Sequence, residues 1–259
     1  KIDMLTASVL QDFELEANPK IFTMLKMVIN GSLKNINPSG FADRWLVVLS
    51  TTKGEIDHLK NGNFEKARPF HLLQKVQDTL PFQSFGRVIS NACVSGLAAT
   101  IYASDQIRNN YFDHALVVGA DIVSEFTSRG FTSFYALDDD FCKPFDANRK
   151  GLNLGEASAS IVLSNNVSIF ENRPMQYLAG STANDANHIS GPSRTGEGLF
   201  RTITKSLSIA EITHSEIDYV SAHGTGTRYN DDMESEAFYR TGLAQKPINS
   251  LKGFYVHAL

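Results

Sequence analysis

The order of apolar and polar residues predicts strands that alternate with helices along the chain. Apolar runs, typical of strands buried on both faces, predict strands at 45–50 and 114–121, and Phe, Val and Ile, with a glycine near the start, predict another at 85–90. Apolar residues three and four positions apart predict helices at 19–35, 65–80 and 94–110. Further predicted elements are strands at 158–164, 177–184, 217–222 and 247–250, and helices at 199–210 and 231–241. Residues 126–140 are rich in aromatic side chains and are predicted to be irregular.

This alternation indicates a layered α/β fold with a largely parallel sheet. In such folds, binding and catalytic residues gather where the strands end. Three clusters of small and polar residues follow predicted strands: one around Cys93, one around His223, and one from Lys252 to His257. These clusters are the candidate functional positions of the chain.

Composition and charge narrow the class of protein. A chain of 259 residues, 42% of them hydrophobic, can bury a large core as one domain or as two fused halves. The net charge of −4 and the absence of a long basic run argue against nucleic-acid binding. No apolar run approaches the roughly 18 residues that span a bilayer, so no membrane association is expected. Two cysteines, Cys93 and Cys142, are too few for a disulfide framework and suggest a cytoplasmic protein.

Cys93 lies at a predicted turn between a strand and a helix. Its side chain is therefore expected near a helix N-terminus, where unpaired N–H groups and the helix dipole favour a thiolate. A thiol with a lowered pKa is a nucleophile, and the backbone N–H of Cys93 is a natural donor to an oxyanion. Taken alone, the turn is equally compatible with a buried, unreactive cysteine.

His223 follows a predicted strand and enters a loop of small residues, His223-Gly224-Thr225-Gly226-Thr227. Glycines in such a loop let the backbone approach a ligand closely. Asp231 and Glu234, three positions apart, share one face of the next predicted helix. The structural alternatives are a satisfied histidine, an ordinary turn, and an acidic helix start favoured by the dipole.

Lys252 precedes His257 by five positions in the third cluster. A buried Lys252 would need a carboxylate partner, and Asp231 or Glu234 could provide it. Cys93 and the two histidines lack the close paired spacings of zinc sites, so no metal site is expected.

Four motifs in this order resemble the β-ketoacyl-[acyl-carrier-protein] synthases. They are N-A-C-V-S-G at 91–96, K-P-F-D-A-N-R-K-G-L-N-L-G-E-A at 143–157, H-G-T-G-T-x-x-N-D-x-x-E at 223–234, and N-S-x-K-G-x-x-x-H at 249–257. Their order and spacing agree with that family over residues 45–257. The family comprises decarboxylating condensing enzymes with a Cys-His-His active site. A branch with Cys-His-Asn lacks the Lys-to-His motif that is present here.

The resemblance implies a thiolase-like α/β/α/β/α fold with mostly parallel buried sheets. Residues 1–165 would form an N-terminal half that carries the nucleophile, and residues 166–259 would begin a C-terminal half that carries the histidines. Members of the family are longer than this chain, and the chain ends in an apolar stretch, so we expect that it is part of a longer protein. The remainder would include a glycine-rich loop that completes the oxyanion hole.

The resemblance also implies a role for each site residue. Cys93 would take an acyl group from an acyl carrier protein as a thioester. His223 and His257 would hold the carbonyl of the malonyl unit while it loses carbon dioxide. Lys252 would order the histidines, in a network with Asp231 and Glu234. The implied substrate-binding residues are Thr225, Thr227 and Ser190 for the phosphopantetheine arm, and Phe131 and Phe134 for the acyl pocket or the dimer contact.

The expected function is decarboxylative condensation in fatty-acid or polyketide and aryl-polyene chain elongation, by a homodimer that needs no cofactor. The alternative is a non-catalytic partner subunit of the chain-length-factor kind. Retention of Cys93 argues against that alternative, because such partners usually lack the nucleophile. Val256 argues mildly for it, since the family usually has glycine before its second histidine.

Overall fold

The computed structural model describes residues 2–5, 20–185 and 191–258. The chain forms two compact units, one from Lys1–Ser124 and Glu156–Leu178 and the other from Glu125–Gly155 and Ala179–Ala258. The predicted division at residue 165 concerns the two halves of a thiolase-like fold and stays a prediction. No helix in the described ranges has both the length and the apolar character needed to cross a membrane.

A six-stranded sheet in the order β3-β2-β4-β5-β1-β6 forms the centre of the first unit. Its strands are β1 (Ile2–Leu5), β2 (Trp45–Ser50), β3 (Ser84–Ile89), β4 (His114–Asp121), β5 (Ala157–Ser164) and β6 (Met175–Tyr177). β2 pairs in parallel with both β3 and β4. β5, β1 and β6 extend the sheet with antiparallel pairs.

Helices cover both faces of this sheet and confirm the layered α/β class. They are α1 (Lys20–Leu33), α2 (Phe64–Ala67), α3 (Pro69–Gln77) and α4 (Ser95–Arg108). Side chains alternate along a strand, so Trp45, Val47 and Leu49 pack in one core with α1 and α3. Leu46 and Val48 face the opposite core, together with residues of α4. All six residues of β2 are buried, as its continuous apolar run predicts.

Two predictions for the first unit are wrong in an informative way. The helix predicted at 65–80 is divided into α2 and α3 at Pro69, because proline has no N–H and the preceding Arg68 is extended (ψ 133°). β3 was predicted to be buried on both faces, yet Phe85 is 69% exposed. Among the described strands, β3 pairs with β2 alone, so its apolar residues lie at an open edge.

The second unit contains four helices and a small parallel pair of strands among its described residues. These are α5 (Glu125–Ser133), α6 (Glu197–Ala210), β7 (Val220–Ser221), α7 (Arg228–Arg240), β8 (Ile248–Asn249) and α8 (Lys252–Tyr255). β7 and β8 pair in parallel, and α6 packs on α7. Parallel pairing places the residues after both strands at the same end, which brings the second and third sequence clusters together.

The structure corrects two further predictions. The stretch predicted to be irregular at 126–140 begins with helix α5, in which Arg129 and Glu125 form an i,i+4 ion pair at 2.6 Å. The strand predicted at 177–184 stops at Tyr177. The segment that follows is held by a side-chain bond instead of a strand partner, since the Ser181 hydroxyl donates to the Thr202 carbonyl oxygen of α6 at 2.9 Å.

Candidate active site

The turn between β3 and α4 carries Cys93 two positions before the first helical residue. Ala92 adopts a left-handed conformation (φ 45°), which turns the chain sharply at the cysteine. Ser95 holds this turn closed, because its hydroxyl accepts from the Asn91 N–H at 2.7 Å and donates to the Ala92 carbonyl oxygen at 2.6 Å. Cys93 is exposed in this chain, whereas Ser95 is buried.

Ser95 is a positioning residue that sequence reasoning missed. Serine is common in the first turn of helices, so its identity alone carries little information. The signal in the sequence is its place two residues after the candidate nucleophile.

Cys142, in the second unit, has the opposite environment. It is 3% exposed, and its thiol donates to the Thr225 carbonyl oxygen at 3.1 Å. Burial, and next the charge of Asp231, raise the pKa of the Cys142 thiol. This cysteine is therefore a buried structural residue.

The loop after β7 is held by two carboxylates from α7. Glu234 accepts the N–H groups of His223 and Gly224 at 2.8 and 2.6 Å, one on each oxygen. Asp231 accepts the Thr225 N–H at 2.9 Å. Burial raises the pKa of Glu234, although its bonds to backbone amides act in the other direction. The two acidic residues thus fix the backbone on which His223 stands.

Lys252 and Ser250 hold the same loop from the side of β8. The ammonium of Lys252 donates to the His223 carbonyl oxygen. The Ser250 hydroxyl donates to the carbonyl oxygens of His223 at 3.1 Å and Gly224 at 2.8 Å. Gly224 has φ 48°, and a Cβ at this position would lie 2.5 Å from that of Ser250, so only glycine fits.

His223 and His257 lie against each other with ring centroids 5.2 Å apart and ring planes at 83°. Burial, and then the charges of Lys252 and His257, lower the pKa of His223 to about 3. His223 is therefore neutral at physiological pH. His257 is 2% exposed, and its Nδ1 lies 2.8 Å from the Ala258 carbonyl oxygen, an acceptor, so Nδ1 carries the proton.

Val256, immediately before the second histidine, has φ 63° and ψ −172°. This region is essentially restricted to glycine, and a β-branched residue in it is strained. The main chain of His257 is fixed on both sides, since its N–H donates to the Asn153 carbonyl oxygen at 2.8 Å and its own carbonyl accepts from the Gly155 N–H at 2.9 Å. The strained Val256 therefore precedes a residue whose main chain is held in place by two hydrogen bonds.

The second unit brings together seven of the predicted site residues. These are His223, His257, Lys252, Asp231, Glu234, Thr225 and Thr227. The hydroxyls of Thr225 and Thr227 lie 2.8 Å apart. Phe131 belongs to α5, and Phe134, which follows it, is 68% exposed. Ser190 lies outside the described residues, and the catalytic and binding roles of the whole set stay predictions.

Comparison with protein families gives two matches. Residues 79–167 match the model of the β-ketoacyl synthase N-terminal domain, and residues 177–259 match that of the C-terminal domain. The putative polyketide β-ketoacyl synthase 1 of Streptomyces halstedii is 32% identical over 232 residues, which are 84% of this chain and 55% of that protein. The tetracenomycin polyketide synthase ketoacyl synthase alpha subunit of Streptomyces glaucescens is 34% identical over 187 residues, 66% of this chain and 43% of that protein.

Solved structures have the same fold. The ishigamide ketosynthase/chain length factor superposes with a TM-score of 0.81 at 25% identity, covering 96% of this chain and 69% of that one. A type II polyketide ketosynthase in complex with its acyl-carrier protein (AntDE:AntF) gives a TM-score of 0.80 at 22% identity, covering 94% and 69%. The thiolase-like fold expected from the motifs is confirmed. The chain spans about half the length of the curated relatives it matches. It belongs to the β-ketoacyl synthase family.

Proposed function

We propose that this chain is the part of a β-ketoacyl synthase that carries the nucleophile and both histidines. The enzyme would condense an acyl group on Cys93 with malonyl-acyl-carrier-protein, with loss of carbon dioxide. The observation that carries the proposal is the packed pair of His223 and His257, of which His223 stays neutral because of burial and Lys252.

The first step is acyl transfer. The Cys93 thiolate attacks the thioester carbonyl of an acyl carrier protein, so a new C–S bond forms. The bond to the phosphopantetheine sulfur breaks, and that sulfur leaves as a thiolate and takes a proton from water. The exposed place of Cys93 before α4 supports this role, since the N-terminal end of a helix favours a thiolate.

The second step is decarboxylation and condensation. The malonyl C–C bond breaks, carbon dioxide leaves, and the electron pair passes to the thioester oxygen as an enolate. Hydrogen-bond donors at that oxygen lower the barrier, and a neutral imidazole such as His223 is a suitable donor. The enolate carbon then attacks the acyl carbonyl, the C–S bond to Cys93 breaks, and the thiolate returns without further proton transfer.

His257 would contact the same oxygen. Because its Nδ1 faces the Ala258 carbonyl oxygen, neutral His257 presents Nε2 as an acceptor. Donation from Nε2 of His257 therefore requires either the imidazolium form or a rotated ring.

The substrate class is a growing acyl or polyketide chain on an acyl carrier protein. A polyketide substrate is supported by the relatives from two Streptomyces species, which are named as polyketide ketoacyl synthases. The location is proposed to be the cytoplasm, as the cysteine content suggests.

A partner subunit is also proposed, either a second copy or a chain-length-factor-like protein. Strand β3 has an open edge in the described sheet, and exposed strand edges favour association with another strand. Light scattering of the full-length protein should give a dimer. Phe85→Lys should weaken it, because Phe85 is 69% exposed on β3, whereas Tyr239→Lys, at a residue 75% exposed on α7 of the second unit, should not. A monomer at micromolar concentration would contradict this proposal.

The second candidate function is that of the non-catalytic partner itself, which the strained Val256 favours. The two functions differ in whether Cys93 is acylated. Full-length protein incubated with acyl-acyl-carrier-protein should gain the acyl mass on the Cys93 peptide, and Cys93→Ala should not. Absence of this thioester under conditions in which an authentic synthase is acylated would favour the partner subunit.

A further inference from the structure

The polar segment that follows β2 lies beside the turn that carries Cys93. β2 and β3 are parallel neighbours, and Ser50 pairs with Ile89 where both strands end. Residues 51–53 and the Cys93 turn therefore leave the sheet at the same edge. The Ser90 hydroxyl, 3.5 Å from the Thr52 carbonyl oxygen, joins the two segments.

Asp121, the last residue of β4, fixes this segment from the other side of β2. Its carboxylate accepts hydrogen bonds from the Thr52 N–H at 3.0 Å, the Thr52 hydroxyl at 2.9 Å and the Thr51 hydroxyl at 3.1 Å. Asp121 is only 5% exposed, and burial raises its pKa in opposition to these bonds. A buried carboxylate with so many donors holds residues 51 and 52 in one conformation.

Lys53 extends from this fixed segment. Its ammonium donates to the Thr52 hydroxyl oxygen, and that hydroxyl donates its own proton to Asp121. Burial lowers the pKa of Lys53, whereas the charges of Asp121 and Cys93 raise it. Lys53 is thus a partly buried cation within electrostatic reach of the candidate nucleophile.

We propose that Lys53 stabilises the thiolate of Cys93 and so increases the reactive fraction of this thiol at neutral pH. A cation near a thiolate favours the ionised form. The carboxylate that acts on Lys53 is that of Asp121, at the end of β4, whereas Glu55, two residues along the chain, is engaged by Lys75 at 2.9 Å. The inference rests on the proposed function, to which it adds a positioning residue that acts through Cys93.

The test is the pH profile of Cys93 alkylation by iodoacetamide in the full-length protein, mapped by mass spectrometry. Lys53→Met keeps the length of the side chain and removes its charge. It should move the Cys93 midpoint to higher pH and slow alkylation at neutral pH about tenfold, as a shift of about one pKa unit would. Lys53→Arg keeps a cation and should stay within about threefold of the wild-type rate.

The inference would be overturned if Lys53→Met left the pH profile of Cys93 alkylation unchanged. It would also be overturned if Lys53→Met and Lys53→Arg slowed this alkylation equally. Failure of the proposed function would look different, because wild-type Cys93 would then react no faster than the same cysteine in the unfolded chain.

If Lys53→Met does not fold, the inference can be tested on the wild-type protein by comparing iodoacetate with iodoacetamide. A neighbouring cation attracts the anionic iodoacetate, so the ratio of iodoacetate to iodoacetamide rates at Cys93 should be higher in the native than in the unfolded protein. An equal or lower ratio would overturn the inference.

Discussion

Val256 packs its Cγ2 methyl into the space that a side chain at Gly155 would need, so a Cβ at residue 155 would overlap it. The valine thereby excludes every residue except glycine at position 155, while its own backbone adopts a glycine-like conformation. Because of this relationship, we expect glycine at position 256 to give a more stable protein than alanine, the reverse of the usual order.

Glycine normally makes a protein less stable than alanine does, by about 0.5–1 kcal/mol within regular structure. At position 256 we expect Val256→Gly to be more stable than Val256→Ala, because alanine keeps the strain of about 1–3 kcal/mol and loses the packing. Gly155→Ala should be strongly destabilising alone and much less so together with Val256→Gly. Chemical denaturation of the wild type and these four variants measures this, and additive effects in the double variant would refute the coupling.

The two cysteines should differ in reactivity. Cys93 is exposed, whereas Cys142 is 3% exposed and burial raises the pKa of its thiol. With substoichiometric iodoacetamide near neutral pH, Cys93 should be labelled first in the native protein. Unfolding in urea should make the two rates similar, which serves as the control. Faster native labelling of Cys142 would remove the basis for Cys93 as the nucleophile.

The half-reactions should separate by mutation in the full-length protein. Cys93→Ala should abolish acyl transfer and leave some release of carbon dioxide from malonyl-acyl-carrier-protein, since both imidazoles remain. His257→Ala should still be acylated at Cys93, yet lose decarboxylation by about 10²–10³-fold, the scale of one oxyanion donor. Lys252→Ala should show the same pattern as His257→Ala, because the ammonium of Lys252 donates to the His223 carbonyl oxygen and so holds this loop. Wild-type decarboxylation without acylation in His257→Ala would mean that the roles are reversed.

The stability of the fold should depend on pH through His223. Its pKa is about 3 in the folded protein and near 6.5 in an unfolded chain, so the unfolded state binds the proton more readily between these values. Stability should therefore be complete above about pH 6.5 and fall as the pH decreases toward 3, with a slope that approaches about 1.4 kcal/mol per pH unit. The difference between wild type and His223→Asn in urea denaturation isolates this group. Parallel pH curves for the two proteins would contradict the assignment.

The sequence was most informative where one physical factor dominates. The bounds of β2 and β4 agree with their apolar runs because central strands are buried on both faces. β3 is less apolar, since it contains Ser84, Gly86 and Arg87, and its side chains alternate so that Phe85 and Arg87 lie on the same exposed side. Its place at the end of the strand order depends on its neighbours in the sheet, which no local pattern contains.

The candidate site shows the same distinction. Cys93 and His223 stand in motifs whose glycines and small residues are required locally, so the sequence identifies them. Lys53 comes beside the Cys93 turn through the parallel pair β2 and β3, which no motif indicates. Ser250 stands in a motif, but its bonds to the His223 loop depend on the pairing of β7 with β8. The unusual valine at 256 is visible in the sequence, but its effect on Gly155 requires the folded backbone.

The two carboxylates on α7 also determine how the His223 loop can move. Opening the loop would leave the carboxylates of Asp231 and Glu234 buried without the amide donors that now satisfy them. The free energy of such an opening is larger than that of ordinary loop fluctuations. We therefore expect the amide protons of His223, Gly224 and Thr225 to exchange with deuterium only when the second unit unfolds as a whole. A glycine-containing loop, ordinarily among the most mobile parts of a fold, should in this protein be among the slowest to exchange with solvent.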